Sequence, residues 1–195
     1  LKINQKLRYV CDFFETFISK MEDTIKTRYT HEMGLSHGVG KKDTYSGRID
    51  SINCALNNDD ELATKNYDHA DIILTGVSRS GKTPTCLFLA LQYGIYAANY
   101  PLIDEDLDSV KLPSVLKPFK NKLYGLSINP VRLQNIRGER RSNSGYASIE
   151  QCQKEVRRAE DMYVQNNVPF IDTSHISIEE IAGRILQKSK LERRY

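Results

Sequence analysis

Eight consecutive residues, Gly76-Val77-Ser78-Arg79-Ser80-Gly81-Lys82-Thr83, have the types and spacing to bind a polyphosphate. They fit GxxxxGK[ST], the phosphate-binding loop. Glycines let the backbone curl so that successive N–H groups face one anion. A helix that starts directly after the loop adds the positive end of its dipole. Lys82 supplies a cation for the terminal phosphates, and Thr83 a hydroxyl for Mg²⁺. All eight residues are therefore expected to contact a nucleotide, with Lys82 acting in catalysis and Thr83 as the metal ligand. The competing reading is an ordinary strand-to-helix turn with incidental glycines.

A second set of candidates is electrostatic. The chain has a net charge of +3, but residues 111–141 hold Lys111, Lys117, Lys120, Lys122, Arg132, Arg137, Arg140 and Arg141 against Glu139 alone. A basic segment in a near-neutral protein points to a local anionic partner, and a solvated basic face is the bland alternative. Phosphoryl transfer needs cations where charge develops, so Arg140 and Arg141 are candidate catalytic residues, with Lys117, Lys120 and Lys122 behind them. The metal-binding aspartate of such a site would end an apolar strand, and Asp172 after Val168-Pro-Phe-Ile is the candidate, with a surface-loop aspartate as the competing reading. Asp104, Glu105, Asp106 and Asp108 could instead hold Mg²⁺ or orient an attacking hydroxyl, or be a solvated acidic loop. The signatures HRD, DFG and VAIK are absent, so any kinase activity must run on the phosphate loop. His31, His37, His69 and His175 have no metal-ligand spacing. Cysteines 11, 54, 86 and 152 lie far apart with no CxxC pair, which argues against a zinc cluster or a disulfide framework and suits a reducing cytoplasm.

The elements around the loop alternate. Asp71-Ile-Ile-Leu-Thr75 is a short β-branched run ending at glycine, hence a buried strand. Residues 84–93 read as a helix with proline in its first turn. Residues 95–100, 122–128 and 168–172 are further strand candidates, and residues 131–141 a basic helix. Ser148-Ile-Glu-Gln151 and Ser177-Ile-Glu-Glu180 are capping boxes that open two more helices. Strand–helix alternation with short links predicts an α/β fold, a parallel sheet with flanking helices. Ahead of it, residues 2–29 carry Leu7, Val10, Cys11, Phe14, Phe17, Ile18, Met21 and Ile25 at three- and four-residue steps, an amphipathic helix expected to pack on an oligomer partner or on residues outside this sequence. Residues 34–47 read as a glycine-bearing loop and residues 49–56 as a short helix. The expected boundary lies at residues 58–68, between an N-terminal helical region, 1–65, and a nucleotide-binding domain, 66–195.

Composition excludes several classes. Among the 195 residues 39% are hydrophobic and 27% charged, enough apolar material for a core. The longest apolar run, Cys86 to Leu91, is far short of the ~20 residues of a membrane span. Asp12 and Glu15 interrupt the N-terminus, so no secretory signal is expected. Phe119 and Tyr124 are the aromatics near the basic stretch, and no nucleic-acid motif accompanies them.

Several of these segments together resemble one family. Asp71-Ile-Ile-Leu-Thr-Gly-Val-Ser-Arg-Ser-Gly-Lys-Thr-Pro-Thr85 is similar to the signature of the phosphoenolpyruvate synthase regulatory proteins. So are Ala97-Ala-Asn-Tyr-Pro-Leu102, Lys122-Leu-Tyr-Gly-Leu-Ser-Ile128, Ile136-Arg-Gly-Glu-Arg-Arg141, Tyr146-Ala147 and Ser177-Ile-Glu-Glu-Ile-Ala182. The resemblance extends back through Ser36-His-Gly38. It implies a bifunctional enzyme: an ADP-dependent kinase that inactivates its target by phosphorylating a threonine, and a phosphate-dependent pyrophosphorylase that removes that phosphate as pyrophosphate. It further implies phosphoenolpyruvate synthase as protein partner, a homodimer and a cytoplasmic location. Relatives act on pyruvate, phosphate dikinase. Glycine at 81 resembles the synthase-directed branch, since serine is common there in the bacterial dikinase-directed one. Family members generally carry a longer N-terminal region, so a preceding piece is expected.

Two other readings compete with this one. The α/β alternation, the arginine-rich segment and Asp172-Thr-Ser also resemble small-molecule kinases of the phosphate-loop class. A nucleotide-dependent binding module without catalysis would explain the missing clear metal aspartate.

Overall fold

The computed structural model describes residues 18, 20–22, 24, 26, 42–57, 67–140, 145–192 and 194. The protein forms two compact units, residues 1–37 and 38–195. In the first, residues 18, 20–22 and 24 are helical, in keeping with the helix expected over 2–29, and Thr24 Oγ1 donates to Lys20 O one turn earlier at 2.9 Å. Phe14 and Phe17, on which the expected oligomer face rests, lie outside the described residues, as do His31 and His37.

The second unit is built on four short strands, β1 (Ile72–Gly76), β2 (Ala97–Pro101), β3 (Leu123–Ser127) and β4 (Phe170–Asp172). All neighbours pair in parallel, in the order β2-β1-β3-β4. The backbone leaves β1 toward β2 on one side and returns to β3 on the other. The point where the order reverses lies at the carboxyl end of β1, where open parallel sheets bind their ligands.

Helices cover both faces: α1 (Lys42–Asn57), α2 (Lys82–Tyr93), α3 (Asp104–Leu107), α4 (Pro130–Arg140), α5 (Ile149–Gln165) and α6 (Ile178–Ser189). Successive strand side chains point to opposite faces. Ile73, Ala98 and Leu123 therefore join Leu133, Cys152, Val156, Ala159 and Met162 of α4 and α5 in one core. Ile72, Leu74, Ala97, Tyr124 and Leu126 join Cys86 and Leu89 of α2 and Ile181 and Ile185 of α6 in the other. With both faces covered, the strands read as continuous apolar runs, and β1 and β3 are buried throughout.

The helix starts follow the expected chemistry. Ser148 Oγ accepts from Gln151 N at 3.2 Å and Ser177 Oγ from Glu180 N at 3.3 Å, satisfying donors that a first turn leaves open. Gly94, with φ +65°, closes α2 by donating to Ala90 O. Two segments differ from the sequence expectation. Helix α1 begins at Lys42, inside the stretch read as a glycine loop, and its Ser51 Oγ lies 3.3 Å from Ala90 O of α2. Packing on α2 thus places α1 within the second unit. The acidic segment after β2, read as a loop, forms the single turn α3, where the Asp106 carboxylate accepts from Ile103 N at 3.3 Å.

Candidate functional site

Strand β1 delivers Gly76 to the carboxyl edge of the sheet. A Cβ there would stand 2.6 Å from Leu126 O and 2.7 Å from Ser80 Oγ, so only glycine lets the loop fold back against β3. The loop then turns through Arg79 at φ +76° and Gly81 at φ +92°, left-handed positions that glycine takes at little cost and arginine does not. Gly81 caps α2, whose first turn begins with Lys82 and Thr83. The residues that fit the phosphate-loop pattern thus stand after a buried strand and at a helix N-terminus, the context that pattern calls for.

Lys82 is buried, and its Nζ donates to Val77 O at 2.8 Å across the loop. Thr83 Oγ1 accepts from Asn99 Nδ2 of the neighbouring strand at 3.3 Å. Beneath the loop, Thr173 Oγ1 lies 3.1 Å from Ser80 O and 2.9 Å from Ser127 O. Ser78, Arg79, Gly81, Lys82, Thr83 and Asn99 line an open cleft of about 420 Å³. The donor set suits Mg²⁺ held jointly with a polyphosphate, since one protein hydroxyl plus phosphate oxygens is the usual arrangement for this ion. Among the described residues no three His, Cys, Asp or Glu side chains gather as a cage of their own. Thr83 would hold the ion.

The other wall of the loop is an ionic network. Arg137 of α4 is buried, and its guanidinium meets Glu155 of α5 in a two-pronged pair, Nη1 to Oε1 at 3.1 Å and Nη2 to Oε2 at 2.6 Å. Nη2 also donates to Ser78 O at 3.2 Å, and Nη1 to Tyr146 O at 3.1 Å. The Tyr146 ring stacks on the guanidinium at 4.0 Å, and its hydroxyl donates to Ser78 Oγ at 2.8 Å. Burial pulls the Arg137 pKa down, but the hydrogen bond and charge of Glu155 outweigh it and hold the group above its ordinary value. Arg137 is therefore a fixed cation that clamps the phosphate loop to α5 and to the turn at 145–147.

The sequence candidates divide between the two ends of the sheet. Gly76 to Thr83 run from the end of β1 into the first turn of α2. Arg140 is exposed at the end of α4, and Arg141 lies outside the described residues. Lys117, Lys120 and Lys122 do not gather at the loop. They precede β3, and Lys122 Nζ donates to Asp68 O and Ala70 O, ahead of β1 and at the opposite edge of the sheet. The basic stretch is therefore not one patch: β3 separates Lys122 from Arg137, which reaches the loop. Asp172 ends β4, two strands from β1, and its carboxylate caps the following turn by accepting from Ser174 N at 2.8 Å and from Ser174 Oγ. His69 and His175 are exposed, and Cys86 and Cys152 are buried.

Asn99, Glu155 and Arg137 in its clamping role were missed. Each left a signal: asparagine is depleted in strand interiors, Glu155 falls on the apolar stripe Cys152, Val156, Ala159, and Arg137 stands one turn after buried Leu133. A buried charge on an apolar stripe must be paired.

Comparison with known proteins bears on these residues as a set. The model of a family described as kinase/pyrophosphorylase matches residues 2–186. A protein of Alkalilimnicola ehrlichii is 55% identical over 183 residues, 94% of this chain and 67% of that protein. One of Laribacter hongkongensis is 51% identical over 186 residues, 95% and 68%. One of Pseudomonas aeruginosa is 49% identical over 187 residues, 96% and 68%. All three are provisionally named phosphoenolpyruvate synthase regulatory protein.

Proposed function

The chain belongs to the kinase/pyrophosphorylase family, and from that premise we propose that it regulates phosphoenolpyruvate synthase by reversible phosphorylation of a threonine. ADP is the phosphoryl donor in the inactivating direction. Inorganic phosphate is the acceptor in the activating one, and pyrophosphate its product. The name carried by the relatives supports the target, and glycine at 81 supports the synthase over pyruvate, phosphate dikinase. The observation that carries the reading is the loop itself: Gly76–Thr83 curled between β1 and α2, with Lys82 drawn inside and the Asn99–Thr83 contact beside it.

Each part of the loop then has a task. Backbone N–H groups of residues 77–82 hold the diphosphate and fix its orientation. Lys82 leaves the Val77 carbonyl to meet the transferring phosphoryl group, where added negative charge is stabilised electrostatically. Mg²⁺ held by Thr83 would neutralise phosphate oxygens, with Asn99 orienting the hydroxyl. Arg137 stays with Glu155 and keeps the loop in shape for both directions. Arg140 and Arg141 supply cations for the anionic target. The cleft is open, which supports a macromolecular acceptor over an enclosed metabolite. A homodimer in the cytoplasm completes the reading, and no helix among the described residues is long and apolar enough to cross a membrane.

Mass spectrometry of phosphoenolpyruvate synthase incubated with the protein, Mg²⁺ and ADP tests this directly. One phosphothreonine should appear, and it should disappear with release of pyrophosphate when inorganic phosphate replaces ADP. A target left unmodified under both conditions would remove the proposal.

A further inference from the structure

A hollow of about 570 Å³ opens at the amino edge of the sheet, the end opposite the phosphate loop. Ile72 and Leu123 line it at the starts of β1 and β3. Its walls carry Lys120 and Lys122 from the turn before β3, and Lys188 and Lys190 from the end of α6. Resting on the function proposed above, we propose that this hollow docks an acidic segment of the protein target, remote in sequence from the residue that is phosphorylated.

The positive charge here is not committed within the chain. Among the described residues Asp71 is the one carboxylate lining the hollow, and Arg194 already neutralises it, with Nη2 at 2.6 Å from Oδ1. The same guanidinium stacks on the Tyr96 ring at 4.7 Å, and Tyr96 N donates to the other carboxylate oxygen at 2.9 Å. None of the four lysines has an acidic partner among the described residues. Lys122 spends two of its three N–H donors on Asp68 O and Ala70 O, at 2.9 and 2.7 Å, which fixes the ammonium and leaves one donor. Helices α5 and α6 end at this edge, and each C-terminus brings roughly half a negative charge. Four ammonium groups outweigh two helix ends, so the lysines do more than offset dipoles.

The lining also selects among anions. A single phosphate is best held by an arginine fork or by converging N–H groups, and nucleic acid by cations interleaved with stacking rings. Among the described residues neither an arginine nor an aromatic ring lines the hollow, and the helices that border it present their carbonyl ends. Lysines on flexible stems suit carboxylates spread along an extended chain, where attraction depends on sign and spacing rather than on one fixed geometry.

The position gives such an interaction a use. The five residues of β3 span roughly 16 Å, so an occupant of the hollow does not touch the reacting phosphate. About a dozen extended residues, at up to ~3.5 Å each, reach from one edge of the sheet to the other. A target held by its acidic segment keeps its acceptor near the phosphate loop after each encounter. That raises the effective concentration of the acceptor and lowers KM without altering the chemical step.

The test compares Lys120→Glu/Lys188→Glu/Lys190→Glu with a control of equal charge change, Lys154→Glu/Arg157→Glu/Arg158→Glu, on an exposed part of α5 shared with Glu150 and Asp161. Steady-state phosphorylation of the protein target and binding of labelled poly-L-glutamate are measured for each. The amino-edge variant should raise KM for the target about 10- to 100-fold at low salt, each exposed pair being worth up to about a factor of five. Its kcat and ADP affinity should match wild type, and the difference in KM should narrow toward ~0.5 M salt as the charges are screened. Poly-L-glutamate should bind wild type and control, compete with the target but not with ADP, and lose its affinity for the amino-edge variant. Lys120→Ala/Lys188→Ala/Lys190→Ala, which adds no acids, should show the same KM change at smaller size, so a misfolded glutamate variant leaves the question decidable. Unchanged KM in both amino-edge variants would overturn the inference. So would an equal rise in the control, which would trace the effect to net charge, and so would a fall in kcat at constant KM. Tighter binding of a single-stranded oligonucleotide than of poly-L-glutamate, lost in the amino-edge variant, would assign the hollow to nucleic acid instead. If the wild type phosphorylates no protein hydroxyl, the proposed function falls, and poly-L-glutamate binding, read without ADP, still decides whether the hollow holds an acidic chain.

Discussion

The two edges of the sheet carry similar raw material and put it to different uses. At the amino edge, Lys120, Lys122, Lys188 and Lys190 line a hollow of about 570 Å³ together with Asp71. At the carboxyl edge, Lys82 and Arg137 stand beside clefts of about 420 and 650 Å³. Charge alone would favour the amino edge. The difference lies in how the cations are held. Lys120, Lys188 and Lys190 are exposed, so water solvates them and long side chains keep their freedom. Lys82 and Arg137 are buried with fixed partners, beside a backbone bent through two left-handed residues. A cation without water and with one geometry can act on a phosphate, whereas a solvated one only adds to the field.

The comparison breaks most readily at Arg137. Removing one partner of a buried pair strands the other charge, so Arg137→Ala should cost about 3–5 kcal/mol, read as a lowered urea midpoint. Exchanging both partners in Arg137→Met with Glu155→Leu should recover much of that stability but not nucleotide turnover, because Ser78 O loses its donor. A double variant with full turnover would show that the clamp serves stability alone. Next comes Lys82→Ala, expected to weaken ADP binding by about 1.5–3 kcal/mol, the range for a hydrogen bond to a charged group, in calorimetry. Unchanged affinity would leave the carboxyl edge no better than the other.

A smaller effect should appear at high pH. The hydroxyl of Tyr67 is pushed up to about 12, chiefly by burial and secondarily by the charge of Cys86, and it donates to Asn99 O at 3.2 Å. A pKa raised in the folded state means stability is fully present below the unfolded value of 10.0 and is lost as pH climbs toward 12. Tyr67→Phe should flatten that part of the stability profile, and an unchanged slope in alkaline urea titrations would contradict it. The smallest effect is expected at the amino edge: Lys120→Ala, Lys188→Ala and Lys190→Ala should each stay within about 0.5 kcal/mol in stability and leave ADP affinity unaltered. A large loss there would reverse the contrast.

Much of this was legible in the residues. The phosphate loop, the flanking strand and helix, and both serine caps depend on interactions within a few positions, so local patterns identify them. The seven-residue shift in the start of α1 was not legible, because Gly47 and its polar neighbours describe a loop unless α2 is there to pack against. The basic stretch misled for a related reason. Sequence proximity placed Lys122 and Arg137 in one patch, but β3 runs between them and carries them to opposite edges, roughly 16 Å apart for five residues of strand.

The sequence by itself determined that residues 76–83 turn tightly from a buried strand into a helix start, since glycine freedom and helix onset are properties of a short segment. Only the tertiary structure decided which cation guards that loop and which side chains hold that cation. Arg137, Glu155, Gln151 and Asp104 come from α4, α5 and α3, as many as 51 positions apart in sequence, and each is an ordinary surface-type residue until the strand order brings their helices to the same edge. Long-range pairing of charges is set by burial and by which elements pack together, and neither is written in the spacing of the residues that meet.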